Sequence, residues 1–115
     1  MQEVIRVAVC DDIKEDRNAL IKILSDYLDK NNLYVEIDEF PSGEAFLASD
    51  TTRYQLVFMD IFMDKLNGME TAKKLIRDNN KVQIVFASTS IDFAEEAFTI
   101  EALHYIVKPI EETQV

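Results

Sequence analysis

The sequence predicts an α/β fold, a parallel β-sheet with helices on both faces. Three observations carry it. Short apolar runs rich in Val, Ile and Leu recur at 4–10, 33–37, 55–60, 82–88 and 103–109. The stretches between them place apolar residues at helical spacing. Residues able to do chemistry fall repeatedly at the end of a run. Strands that alternate with helices pair in parallel, because each crossover returns the chain to the same edge.

The first run, Val4 to Cys10, is apolar except for Arg6 and fits a strand buried on both faces. Asp12 can cap the helix after it, which carries Leu20, Leu24, Tyr27 and Leu28 and closes at "DKNN". Leu33, Val35 and Ile37 alternate with polar residues as a second strand. "FPSGE" breaks that strand, and Ser42 can cap a short helix with Ala45, Phe46 and Leu47. "QLVFMD" is the third strand. An Asn67-Gly68 loop follows, then a helix bearing Met69, Ala72, Leu75 and Ile76. "VQIVFAS" is the fourth strand and "STSID" leads into a helix with Phe93, Ala94, Ala97 and Phe98. "LHYIVKP" is the fifth strand, ended by Pro109.

At 115 residues the chain suits one domain. With 48% hydrophobic residues it can bury a core. No apolar run is long enough to span a bilayer, and the N-terminus lacks the pattern of a secretory signal. A single cysteine, Cys10, permits no internal disulfide, so a cytoplasmic setting is the expectation. Acidic residues outnumber basic ones 22 to 12, for a net charge of -10, which argues against direct nucleic-acid binding. The acidity suits either a solvated surface or carboxylates that hold a cation.

Asp11 and Asp12 end the first run, Asp60 the third, Ser88 and Thr89 the fourth, and Lys108 the fifth. Open α/β sheets bind ligands outside the carboxyl ends of their strands. Three carboxylates gathered there repel one another, and a divalent cation removes the conflict. Magnesium suits an all-oxygen site. An aspartate beside it can attack phosphorus, with a lysine offsetting charge on the transferring oxygens and a hydroxyl such as Ser88 bonding to one of them. Either aspartate of the first pair could instead be a plain helix cap, and Thr89 rivals Ser88 as the hydroxyl. Cys10 reads as a small buried hydrophobe and His104, the one histidine, as uninvolved.

The ordered set "CDD", "FMDIFMDKLNG", "FAS" and "YIVKP" resembles the receiver domain of two-component response regulators over the whole chain. "IDFAEEAFTIEALHYIVKPI" looks most like receivers that precede LytTR-type DNA-binding domains. The resemblance implies a flavodoxin-like three-layer sandwich with strand order 2-1-3-4-5. It implies Asp60 as phosphoacceptor, and Asp11, Asp12, Asp60 and the backbone carbonyl of Phe62 as partners of Mg2+. It implies Lys108 against the phosphoryl group, Ser88 as switch hydroxyl and Tyr105 as switch aromatic. The implied partners are a sensor histidine kinase and, on phosphorylation, a second copy through the helix 4/strand 5/helix 5 face. Contact with DNA would go through a separate output domain. The chain would be a receiver over 1–115 whose last helix is incomplete, since only seven residues follow Lys108.

One departure is Asp64, where many such receivers carry proline. Two other functions fit parts of the pattern. A magnesium-dependent phosphohydrolase would share the Asp nucleophile and Lys, but the haloacid-dehalogenase-type pattern wants an aspartate where Phe62 stands. A phosphorylation-independent binding module of the same fold would need none of these residues.

Overall fold

The computed structural model describes residues 4–31, 34–63, 67–78 and 81–108, without the side chains of Leu28 and Asp29. The expectations for the Leu28 side chain, Leu33, Asp64, Pro109 and a shortened final helix lie outside the described residues. The order is β1 (Ile5–Cys10), α1 (Lys14–Lys30), β2 (Val35–Phe40), α2 (Gly43–Leu47), a 3-10 turn (Thr51–Arg53), β3 (Leu56–Asp60), α3 (Gly68–Asp78), β4 (Gln83–Ser88), α4 (Ala94–Thr99) and β5 (His104–Val107). All pairings are parallel and the strands lie in the order β2-β1-β3-β4-β5. The fold is therefore the α/β sandwich that the alternation predicted.

The sheet is packed on two faces. On one, Leu20 and Leu24 of α1 meet Val7, Val9, Phe58, Val85 and Ile106. On the other, Phe46 of α2, Met69, Ala72 and Leu75 of α3 and Ala97 of α4 meet Ala8, Cys10, Val57, Met59, Ile84 and Phe86. Alternate residues of one strand thus serve opposite cores, which is why β1 and β3 read as continuous apolar runs. Burying one Leu or Phe side chain contributes about 1.5–3 kcal/mol.

Several local expectations change. Val4 and Ile5 are exposed, so only Val7 to Cys10 of the first run is buried. Asp12 does not cap α1. The helix opens at Lys14, and the carboxylate at its entry is Asp11, whose Oδ1 accepts from the Ile13 N–H at 3.0 Å. Tyr27 and Phe98, both placed on packing faces by spacing, are 48% and 65% exposed. Helix α4 is only six residues long, too short for its spacing to define a face. Its end carries no glycine. Glu101 takes the left-handed conformation (φ 61°) while its N–H bonds to Phe98 O and that of Ala102 to Ala97 O. That pattern of hydrogen bonds closes helices, usually on Gly or Asn. The cap proposed for α2 is present, with Ser42 Oγ accepting from Ala45 N–H at 3.0 Å.

Gly68 sits at the start of α3, where the helix comes down on the end of β3. Its N–H donates to Ile61 O at 2.8 Å. A Cβ at this position would collide with the Asp60 carbonyl, 2.7 Å from its carbon, and with Ile61 Cα at 2.9 Å. These are backbone atoms and cannot rotate aside. At Gly43 the obstacle is the buried Thr71 side chain rather than backbone, and relief there means disturbing its Oγ1 bond to Asn67 O. Gly68→Ala should therefore cost about 1–3 kcal/mol or more, the scale of overpacking, and Gly43→Ala less. Chemical denaturation of the two variants checks the order.

Candidate functional site

The parallel register brings the carboxyl ends of β1, β3, β4 and β5 to one rim. Cys10 pairs with Met59, Asp60 with Ala87, and Ser88 with Val107. Asp60 at the end of β3, Asp11 just past β1 and Lys108 just past β5 therefore reach one another at this rim. Backbone bonds extend the ladder past the strands: Asp11 N donates to Phe40 O at 3.1 Å and Lys108 N to Ser88 O at 2.7 Å.

Asp11, Asp12 and Asp60 meet there. Each offers a carboxylate oxygen, and these oxygens lie within 4.8 Å of one another. Asp11 and Asp60 are buried, at 5% and 4% exposure. Lys108 faces them with a side chain only 7% exposed. Its Nζ donates to Asp11 Oδ2 at 2.9 Å and lies 3.4 Å from Asp60 Oδ1. Sequence reasoning thus named four of the charged residues that the fold brings together.

It missed others. Lys108 Nζ also donates to Asp16 Oδ2 at 2.8 Å, a contact spanning 92 positions of sequence. Arg17 Nη1 donates to Asp11 O at 2.8 Å and its Nε to Glu39 Oε1 at 3.2 Å, so it braces the β1–α1 loop against β2. A signal existed. Asp16 lies one helical turn beyond Asp12, so the first turn of α1 leads back over the site.

Among the described residues the charges do not balance. Burial is the largest influence on the Asp60 carboxyl and raises it. Asp11 raises it further, Lys108 works the other way, and the carboxyl comes to rest at about 7. Burial would also depress the Lys108 ammonium, but its hydrogen bonds to Asp11 and Asp16 and the charge of Asp60 reverse that and raise it. The Cys10 thiol is pushed up to about 12 by burial and by Asp11 and Asp60, so it is inert at neutral pH. Its Sγ donates to Ser42 O at 3.3 Å.

Asp12 Oδ1 is buried and has no hydrogen-bond partner among the described residues. A buried carboxylate oxygen without a donor is costly. Together with the carboxylates of Asp11 and Asp60, it makes a set of hard oxygen donors that fits a divalent cation. Phe62 leaves its ring exposed, edge-on to Phe93 at a centroid distance of 5.5 Å.

Ser88 is fully buried and its Oγ accepts from Ser90 N–H at 3.1 Å, whereas Thr89 is exposed. Tyr105 is half-buried against Phe86, and its hydroxyl donates to Ser90 O at 2.5 Å. Ser88 and Tyr105 are therefore joined through the two backbone groups of one residue, Ser90. His104 is exposed.

The raised Asp60 carboxyl has a stability consequence. Unfolded, it ionises near 3.8; folded, near 7. Between these values the folded chain holds the proton more tightly, so the contribution of Asp60 to stability falls as pH rises through that window and stays low above it. Asp60→Asn should stabilise the metal-free domain at pH 8 by on the order of 1 kcal/mol after allowing for solvent screening, and so raise its Tm. The gain should shrink at pH 5.5. Thermal denaturation of both proteins in chelator at the two pH values checks it.

Comparison with known proteins agrees with this geometry. The family profile of the response regulator receiver domain matches residues 7–115. Sensory transduction protein LytT of Bacillus subtilis is 31% identical over 113 residues, covering 97% of this chain and 45% of that protein. LytT of Bacillus cereus is 34% identical over 118 residues, covering 97% and 44%. The chain thus spans under half the length of these curated relatives. Among solved structures, the receiver domain of AraT from Geobacillus stearothermophilus superposes with a TM-score of 0.81 at 20% identity, covering 96% of this chain and 86% of that one. The response regulatory domain of mrkE from Klebsiella pneumoniae does so at 0.76 and 27%, covering 95% and 87%. The chain belongs to the response regulator receiver domain family and is the receiver of a two-component response regulator, with kinship to LytT and LytR proteins.

Proposed function

We propose that the chain is a phosphorylation switch whose phosphoacceptor is Asp60. The supporting observation is the convergence of Asp11, Asp12, Asp60 and Lys108 on one rim with negative charge in excess. The phosphoryl donor is the phosphohistidine of a sensor histidine kinase. An Asp60 oxygen attacks phosphorus. The new O–P bond forms as the P–N bond breaks, and the electron pair leaves with the imidazole nitrogen. Hydrolysis later returns the carboxylate and inorganic phosphate.

Asp11, Asp12, Asp60 and the backbone carbonyl of Phe62 would hold Mg2+, which supplies positive charge against these carboxylates and the transferring oxygens. The orphaned Asp12 oxygen supports that assignment. The Lys108 ammonium offsets charge on the same oxygens. Ser88 uses Oγ as an acceptor toward Ser90, which leaves its hydroxyl hydrogen to donate to a phosphoryl oxygen. If Ser88 turns toward that group, its bond to Ser90 N–H breaks. Ser90 O holds Tyr105, so the change passes to β5. Phosphorylation then shifts the balance between two arrangements of the α4–β5 face.

On this reading the domain catalyses only its own phosphorylation and slow dephosphorylation and turns over no free substrate. It works in the cytoplasm and binds no nucleic acid itself. It is one part, 1–115, of a longer regulator, and its α4–β5 face and final helix pair two copies. The LytT kinship and the coverage of the relatives support a transcriptional output domain elsewhere in that regulator.

Acetyl phosphate tests the chemistry, with acetate as the leaving group. Intact-mass measurement should show one added phosphoryl group that requires both Mg2+ and Asp60, and none on Asp60→Asn. A folded wild-type chain with no adduct, under conditions that preserve acyl phosphates, would leave a binding module of the same fold.

A further inference from the structure

Lys108 is shared three ways. Its ammonium has three hydrogens, and its carboxylate neighbours among the described residues are Asp16 at 2.8 Å, Asp11 at 2.9 Å and Asp60 at 3.4 Å. The phosphoacceptor is the most distant of them. Asp11 is tied down at both ends, accepting from Ile13 N–H through Oδ1 and from Lys108 through Oδ2. Asp16 differs. It stands in the first turn of α1, its side chain is 36% exposed, and it does not belong to the cluster of cation-holding oxygens. It can turn out to solvent at little cost, whereas Lys108, 7% exposed, cannot.

We infer that Asp16 is a positioning residue that draws the Lys108 ammonium away from Asp60 in the resting domain and releases it when Asp60 carries a phosphoryl group. The inference rests on the switch proposed above. A phosphoryl group brings about two negative charges and strong acceptor oxygens to the Asp60 side. It outcompetes a half-exposed carboxylate for the same ammonium hydrogens. Asp16 then loses its partner, and the tie between the first turn of α1 and the end of β5 opens. Asp16 thus sets a threshold. In the resting state it withholds part of the charge that would favour the incoming phosphodonor, and its own negative charge adds to the repulsion.

Removing that carboxylate should speed the reaction. With acetyl phosphate and saturating Mg2+, an Asp60 oxygen bonds to phosphorus as acetate leaves with the electron pair of the broken P–O bond. Asp16→Asn in the 115-residue chain should raise the rate constant of this step about three- to fivefold, the scale of a half-exposed ion pair. Asp16→Glu should restore most of the slow rate. In a second measurement without phosphodonor, the 15N ammonium resonance of Lys108 should move in Asp16→Asn and return toward its original position in Asp16→Glu. A purely structural role would lower the Tm and slow the reaction. A rate in Asp16→Asn equal to or below wild type, or an unmoved Lys108 resonance in a folded variant, would overturn the inference. If wild type accepts no phosphate at all, the proposed function fails, and the ammonium resonance still decides whether Asp16 holds Lys108.

Discussion

Mutual repulsion of Asp11, Asp12 and Asp60, met among the described residues by the ammonium of Lys108, is the constraint on which the rest of the structure depends. Three like charges do not gather spontaneously in a partly buried space. Something must force them together, and here it is the sheet. Hydrophobic burial on both faces fixes the strands, their ends fix the acids, and the acids have nowhere to relax. The cost appears as an Asp60 carboxyl raised to about 7 and as a buried Asp12 oxygen with no donor among the described residues. A site held in this condition is strongly biased toward whatever brings positive charge or redistributes negative charge.

Two devices keep the arrangement tight. Gly68 lets α3 approach the Asp60 carbonyl, where any side chain would push the β3 end away. Arg17 holds the Asp11 carbonyl from α1 while pairing with Glu39 of β2, so the loop bearing both acids is braced from two elements. Lys108 completes the set by reaching across the rim from the far side of the sheet. Because its backbone N–H is bonded to Ser88 O, Ser88 and the ammonium-bearing Lys108 share one anchoring point. Local chemistry at Asp60 is thereby connected to β4 and β5 by covalent and hydrogen-bonded links rather than by distance alone.

The sequence made much of this legible because the informative signals are local. A strand buried on both faces reads as an apolar run, and its last residue reads as a break in that run, so Asp60, Ser88 and Lys108 could be placed at strand ends by inspection. Asp16 could not. An acid in the first turn of a helix is ordinarily explained by the helix dipole, and only the folded chain shows that Lys108, 92 positions away, arrives beside it. Tyr27 and Phe98 mislead for the opposite reason. Helical spacing marks a face, but whether that face meets anything depends on neighbours that spacing does not specify. The end of α4 was obscure because Glu101, rather than glycine, takes the left-handed conformation there. The 3-10 turn at Thr51–Arg53, capped by Asp50 Oδ1 accepting from Thr52 N–H, is a brief motif with no periodicity to find.

The central claim is that the resting site is short of positive charge and that Asp60 bears the consequence. A 13C carboxyl titration of Asp60 tests it most directly, first in chelator and then in saturating Mg2+. The account predicts a midpoint near 7 without the cation and a large fall when Mg2+ is present. An Asp60 that titrates in the ordinary carboxylate range in chelator, and does not respond to Mg2+, would contradict it.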